Sequence, residues 1–394
     1  MNAFIMQIHK ECGSMGVKRK YIVIPIGGVG NRFFENGYLT SKPFIRADGI
    51  CIIDRVINAI PEDEDIVIVI AYGKELEKYN IETHLIKHHP TRSFLFKRLD
   101  YQTRGASETL LCALNSFDLD EDCPLLSLDC DTIQDTESMR QFFSQKEFAL
   151  LYFIDTTSTE IYSFLKIDDS GYVSDIREKT RISSNACSGG YGFSSVREAK
   201  KLIDLIICKG LSEKEFYLSS VFREAIANSI PIKAIESSNK ICLGTPQELQ
   251  VASVTNVLNE NVKTFCVDLD GTLVTFPRIT GDYSTVEPIE KNIVFVREMK
   301  KRGHRVIIHT ARGMLSCSGD LEKIRIKNLP IIESTLSKFN IPYDELILGK
   351  PLADFYIDDL AVNSFLNLEK EIGFYTDSIK ARSCNNVSFK DQKV

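Results

Sequence analysis

"TFCVDLDGTLVTF", residues 264–276, is an apolar run that gives way to two aspartates one residue apart and then to a glycine. Side chains i and i+2 of a strand share a face. A strand "FCVDLD" would therefore present Asp268 and Asp270 side by side at its carboxyl end, where open α/β sheets have their crevice. Two bare carboxylates repel, and a hard, oxygen-liganded cation such as Mg²⁺ relieves that repulsion. Three further strand ends follow. "HTAR" brings the hydroxyl of Thr310, "LGKP" the ammonium of Lys350, and "DFYIDD" a second acidic pair, Asp358 and Asp359. Carboxylates, a hydroxyl and an ammonium group are the parts needed to receive a phosphoryl group.

Outward from this stretch, the pattern is α/β in both directions. After it come an amphipathic run "EPIEKNIVFVREMKKRG", a strand "HRVIIHT", one helix "DLEKIRIKNLPIIESTLSKFN", and strands "ELILG" and "DFYIDD". Before it, "YIVIPI", "DIVIVIAY", "PLLSLDCD" and "FALLYFID" read as buried strands. "ASETLLCALNSF" and "SVREAKKLIDLIICKG" read as helices, the second stopped by Gly210. These readings divide the chain into a leader (1–19), an N-terminal domain (20–255), a C-terminal domain (262–378) and a polar tail (379–394).

The 394 residues suffice for more than one core. Hydrophobic residues make up 43% and charged residues 26%, and no apolar run reaches the roughly 18 residues of a membrane span, so a cytoplasmic protein without membrane contacts is expected. Eleven scattered cysteines, an odd number with no CxxC pair, fit reduced thiols. The neighbouring His88 and His89 are expected in a surface turn. A net charge of −6 with no basic tract argues against a nucleic-acid partner. Self-association of the chain stays open.

"DLDGT", "HTAR", "GKP" and "IDD", in that order, resemble the four motifs of the haloacid-dehalogenase phosphatases, and "GDY", "NLPIIE" and "IPYDEL" resemble the small members found in capsule-polysaccharide loci. The resemblance implies a parallel sheet of Rossmann-like, three-layer α/β/α architecture. It implies that Asp268 is the nucleophile that forms an aspartyl-phosphate and that Asp270 is the general acid and base. Thr310 and Lys350 would hold phosphoryl oxygens, and Mg²⁺ would sit among Asp268, the Asp270 carbonyl, Asp358 and Asp359. Only "TFPRITGDYSTV" separates Thr275 from Glu287, too little for a large cap.

In the N-terminal domain, "YIVIPIGGVGNRFFENGYLTSKPFI" sends a strand into a glycine-rich turn, then to Arg32 and Lys42. Gly27, Gly28 and Gly30 allow main-chain N–H groups to approach phosphate oxygens, while Arg32 and Lys42 neutralise them. The stretch resembles the signature of sugar-1-phosphate nucleotidyltransferases and cytidylyltransferases. By that resemblance "QTRGASETLL", with Gln102 and Gly105, is the base-recognition loop, and Asp131 in "LSLDCD" holds Mg²⁺. Glu178 and Lys179 address the acceptor phosphate, Gly190 in "SGGYGF" lines the acceptor pocket, and "CLGTPQEL" closes the domain. Where many relatives carry a second metal-binding aspartate this chain has Cys242, a poor Mg²⁺ ligand. Asp129 or another carboxylate would then have to serve, or the domain binds nucleotide without turning it over.

Together these readings make the chain two tandem α/β domains. They describe a bifunctional enzyme that joins an NTP to a sugar or polyol phosphate with release of pyrophosphate, and that hydrolyses a phosphomonoester, in precursor synthesis for a surface polysaccharide. The alternative is a phosphatase whose N-terminal domain only senses nucleotide or dimerises the chain.

Overall fold

The computed structural model describes residues 19–375 apart from residues 29, 158, 211–214, 256, 259–261 and 359. The chain forms two compact units. One takes in the described residues up to Ile45 together with Ile50–Leu249; the other takes in Arg46–Gly49 and the described residues from Gln250 on.

The first unit is built on a nine-stranded mixed sheet. Its strands are β1 (Lys20–Ile26), β2 (Ile66–Tyr72), β3 (Ser93–Arg98), β4 (Leu125–Leu128), β6 (Phe148–Ile154), β7 (Ser163–Ile167), β8 (Val173–Glu178), β9 (Asn185–Phe193) and β10 (Ile232–Glu236); a separate pair is β5 (Thr132–Ile133) with β11 (Ile241–Cys242). β1 lies parallel to both β2 and β4 and β2 parallel to β3, while β9 runs antiparallel to β4, β6 and β7. The continuous apolar runs follow from burial on both faces. Tyr21 and Val23 face one core with Val69 and Ala71; Ile22, Ile24 and Ile26 face the other with Ile68 and Ile70. Helices Ala106–Leu114, Val196–Lys209 and Leu218–Ala227 cover the first face, and Ile52–Ala59, Ile81–His88 and Thr136–Gln145 the second. Each fully buried aliphatic side chain contributes about 1.5–3 kcal/mol.

The second unit has three parallel strands, β12 (Thr264–Val267), β13 (Arg305–Thr310) and β14 (Glu345–Leu348), with β13 central. Leu269, Val274, Ile293, Val306, Ile308, Ile332 and Leu336 form its core. Among the described residues no helix is long and apolar enough to cross a membrane.

Three expectations are corrected. The single helix expected over "DLEKIRIKNLPIIESTLSKFN" is two, Leu321–Lys327 and Leu329–Lys338, because Pro330 offers no N–H and its ring opposes a continuing helix. The described part of "DFYIDD", residues 354–358, is not a strand: Phe355 is 85% and Ile357 98% exposed. Its alternation is a local signal, and among the described residues no strand edge takes up its backbone groups. His89 is not on a surface turn but buried, with Nε2 2.9 Å from Asp54 Oδ1.

Candidate active sites

In the first unit β1 delivers the chain to Gly27 and Gly28, and Gly30 turns it into the short helix Asn31–Glu35 with φ of 73°. A side chain at Gly30 would be strained, and its Cβ would lie 3.1 Å from Cβ of Lys42. Lys42 is held from behind. Ser41 N–H donates to the Tyr79 hydroxyl (2.9 Å), and Phe44 stacks on the Tyr79 ring at 4.6 Å between centroids. The Lys42 ammonium is thereby placed on the Asp131 carboxylate, with which it forms an ion pair.

Asp129 and Asp131 lie just beyond the end of β4. Asp129 N–H donates to the Gly189 carbonyl (2.9 Å), and Gly189, with φ of 86°, leaves no room for a side chain against the Asp129 carboxylate. Burial, then the neighbouring Asp131, pushes the Asp129 carboxyl well above the usual carboxylate range. Burial also pushes Asp131 upward, but the Lys42 ammonium outweighs it and holds that carboxyl low. One lysine therefore holds only one of the two carboxyls ionised, and a hard divalent cation among these oxygen donors would let the second give up its proton as well.

Pairing of β11 with β5 sets Cys242 opposite Thr132 beside this pair, with Lys240 Nζ 2.9 Å from its sulfur. The next turn brings a carboxylate that the sequence reading did not name. A Cβ on Gly244 would lie 3.0 Å from Asp131 Oδ2 and 3.4 Å from Glu248 Oε2, so both carboxylates flank one point. Glu248 is fixed there by Tyr162 O–H (2.9 Å) and Thr245 Oγ1 (3.0 Å). Its signal was the Thr-x-x-Glu spacing of a helix start in "TPQE", where Thr245 Oγ1 accepts from Glu248 N–H (3.2 Å).

In the second unit the strand β12 stops at Val267, so Asp268 and Asp270 lie past its end and not on it. Neither is bare. Lys350 Nζ lies 3.0 Å from Asp268 Oδ2, while the Arg312 guanidinium forks onto Asp270, Nε to Oδ2 at 2.9 Å and Nη2 to Oδ1 at 2.6 Å. The Arg312 side chain is fully buried. It donates also to Thr335 Oγ1 (3.0 Å) and lies over the Tyr283 ring at 4.3 Å. Thr310 Oγ1 accepts from Arg312 N–H (3.1 Å), and the Lys350 N–H donates to the Thr310 carbonyl (3.1 Å), so the ends of β13 and β14 are tied together. Asn292 holds the turn after Asp270 through the Thr272 carbonyl at 2.8 Å. A cavity of about 310 Å³ opens beside Tyr283 and Thr335, lined further by Pro330, Ile331, Ser334 and Lys338.

Residues 265–340 match the family model of the haloacid dehalogenase-like hydrolases. The second unit carries a haloacid dehalogenase-like hydrolase domain. For the first unit the likeness is to solved structures. A nucleoside-diphosphate-sugar pyrophosphorylase from Vibrio cholerae RC9 is 19% identical, with 61% of this chain and 100% of that chain covered and a TM-score of 0.52. An inositol-1-phosphate CTP transferase from T. maritima is 15% identical, with 62% and 96% covered and a TM-score of 0.50. At those identities the likeness is one of fold, and the first unit has the nucleotidyltransferase fold. A structural-genomics target from Vibrio cholerae is 43% identical over 27% of this chain and 92% of that chain, with a TM-score of 0.25. The curated proteins give no match.

In the hydrolase domain the structure brings together Asp268, Asp270, Thr310 and Lys350, and adds Arg312, which stood in the quoted "HTAR" without a role. It does not bring Asp358 to them. That residue is exposed, its Oδ1 accepting from Leu360 N–H (2.7 Å), because residues 354–358 do not form the strand that would have carried it. Asp359 lies outside the described residues.

In the nucleotidyltransferase-fold unit Lys42, Asp131 and Asp129 meet, and Glu178 is held nearby by the hydroxyls of Ser163 and Ser219. Lys179 donates to the Tyr217 hydroxyl (3.0 Å) and lies 3.5 Å from Glu178 Oε1. Arg32 is exposed, and Gly28 faces open space. Gln102 spends its amide N–H on the Gly27 carbonyl (2.5 Å), tying the expected base loop to the glycine turn, and Gly105 abuts the Phe216 backbone. Gly190 pairs with Leu151 of β6, where a Cβ would lie 2.5 Å from Leu151 Cδ1, so packing within the sheet alone accounts for a glycine there.

Proposed function

We propose that the chain is a bifunctional enzyme: an NTP-dependent nucleotidyltransferase acting on a sugar or polyol phosphate, followed by a Mg²⁺-dependent phosphomonoesterase, both in precursor synthesis for a surface polysaccharide. The observation that carries the reading is that each unit sets a lysine on an aspartate at a strand end, Lys42 on Asp131 and Lys350 on Asp268.

In the transferase, a phosphate oxygen of the acceptor attacks the α-phosphorus of the NTP and pyrophosphate leaves. Lys42, Arg32 and the N–H groups of the glycine turn bind phosphate oxygens of the NTP, and Lys179, oriented by Tyr217 and Glu178, takes the acceptor phosphate. Positioning and charge neutralisation carry such a transfer. In the phosphatase, Asp268 attacks phosphorus while the leaving oxygen takes a proton from Asp270; Asp270 then deprotonates the water that hydrolyses the acyl phosphate. Lys350 and Thr310 hold the transferring oxygens. The Arg312 fork occupies both carboxylate oxygens of Asp270, so proton transfer through Asp270 requires it to leave the fork as substrate enters. Asp131, Asp129 and Glu248 in one unit, and Asp268 with the Asp270 carbonyl in the other, would hold the divalent ions, which supply Lewis-acid charge at the phosphoryl oxygens.

Asp268→Asn should abolish phosphate release and leave pyrophosphate release intact, and Lys42→Ala should do the reverse. Either change silencing both reactions in folded protein contradicts independent sites. A second reading is favoured by Lys240, whose ammonium sits on Cys242 where a metal ligand is expected: the first unit binds nucleotide without chemistry and governs the phosphatase. Nucleotide-dependent phosphatase rates with no pyrophosphate from any NTP tried would select it.

A further inference from the structure

Away from both sites, the second core face of the nucleotidyltransferase-fold unit holds a group of side chains that neither reaction uses. Cys51 precedes helix Ile52–Ala59, Asp54 lies in its first turn, and His84 projects from helix Ile81–His88. One ligand atom from each, the thiol sulfur, a carboxylate oxygen and an imidazole nitrogen, lie within 4.8 Å of one another. Asp54 is buried, while Cys51 and His84 are half-buried. His84 Nε2 lies 2.8 Å from Asp54 Oδ2, and the buried His89 holds the other oxygen, Oδ1, at 2.9 Å.

We infer that Cys51, Asp54 and His84 form a binding site for a borderline-soft divalent metal ion of the Zn²⁺ class, with His89 as the outer partner that orients the Asp54 carboxylate. The donor set decides the class: thiolate, imidazole and carboxylate are the ligands of zinc, whereas Mg²⁺ takes oxygen. Bond lengths of about 2.0–2.3 Å put the donor atoms of one tetrahedral ion roughly 3.3–3.7 Å apart, within reach of side-chain rotation from the separations seen. Binding exchanges the thiol proton and the proton shared by His84 and Asp54 for the ion, and leaves a fourth position toward solvent for water. A metal-bound carboxylate whose second oxygen is held by a buried imidazole is a supported ligand. The site also has a consequence for its surroundings. The His84 ring packs edge-on against Phe44 at 5.2 Å, so the ion would tie the two helices together under the segment that presents Lys42.

The test uses the full chain stripped of metal with a chelator and titrated with Co²⁺. The expected result is one equivalent of Co²⁺ bound tightly with a sulfur-to-cobalt charge-transfer band, displaced by one equivalent of Zn²⁺ and not by millimolar Mg²⁺. Cys51→Ser should abolish the band, Cys242→Ser should leave it, and His89→Gln should weaken binding by roughly 10–100-fold. Circular dichroism of each apo variant shows whether it is folded. A band that survives Cys51→Ser, no band in the folded wild-type chain, or full displacement by Mg²⁺ overturns the inference.

Discussion

Replacing Arg312 by methionine tests whether the hydrolase site is organised by a buried charge pair. The guanidinium is wholly buried and the Asp270 side chain only 15% exposed, so removal of the cation leaves a carboxylate with little water to compensate it. Breaking a buried pair from one side costs about 3–5 kcal/mol; because Asp270 keeps some access to water, the cost is taken near the lower end, about 3 kcal/mol. The lost stacking on Tyr283 acts in the same direction. Because the chain has two units, global unfolding is a poor gauge. Hydrogen exchange of peptides covering Arg305–Thr310, read by mass, reports on the second unit alone. A loss of about 3 kcal/mol speeds exchange there roughly 150-fold wherever opening limits it. In the double variant Arg312→Met, Asp270→Asn, neither charge is stranded, so the combined cost should fall short of the sum by about 2 kcal/mol. Protection that changes less than about threefold in Arg312→Met, or costs that simply add, would refute the buried-pair reasoning.

Glu248→Gln should raise the Mg²⁺ concentration needed for half-maximal pyrophosphate release by about tenfold, and Cys242→Asp should lower it; an unchanged Mg²⁺ dependence in both removes Glu248 from the metal site. Gly189→Ala should cost about 1–3 kcal/mol in the first unit and depress pyrophosphate release, because its methyl group meets the Asp129 carboxylate; full activity would show that Asp129 moves freely. His304 is buried, its Nδ1 accepting the Lys263 N–H (3.2 Å), and burial, then the Arg302 cation, holds its imidazole below the usual 6.5. Its folded value is lower than its unfolded one, so its contribution to stability is present above pH 6.5 and is lost as pH falls through that value toward the folded one. Second-unit exchange protection should therefore decline on acidification below pH 6.5, and less so in His304→Gln; equal declines in the two proteins count against it.

β1, β2, β4 and β6 of the first unit were legible as apolar runs, β1 and β2 because burial on both faces leaves them almost without polar residues. Lys42 and Asp131 were legible for a different reason: both stand in motifs whose chemistry fixes residue type. What escaped was set by tertiary contact. The carboxylate beside Asp131 is Glu248, four residues past Gly244, and only the pairing of Ile241–Cys242 with Thr132–Ile133 brings that turn alongside. Arg312 follows Thr310 by two residues, yet a sequence does not say that its guanidinium turns inward to Asp270. His88 and His89 read alike, yet His88, the last residue of helix Ile81–His88, is exposed, while His89 just past it is buried on Asp54. "DFYIDD" has the alternation of a strand, but alternation supplies no partner edge, and the expected metal ligand Asp358 went with it.

The central claim is that two chemistries share this chain. Its most direct test is pyrophosphate release by the Asp268→Asn protein with Mg²⁺, each of CTP, UTP, GTP, ATP and dTTP, and a panel of sugar and polyol phosphates, beside phosphate release by the wild type. The account predicts pyrophosphate with one NTP and one acceptor in a protein that no longer releases phosphate. Bound nucleotide with no pyrophosphate across the panel would contradict it and leave hydrolysis as the only reaction of the chain.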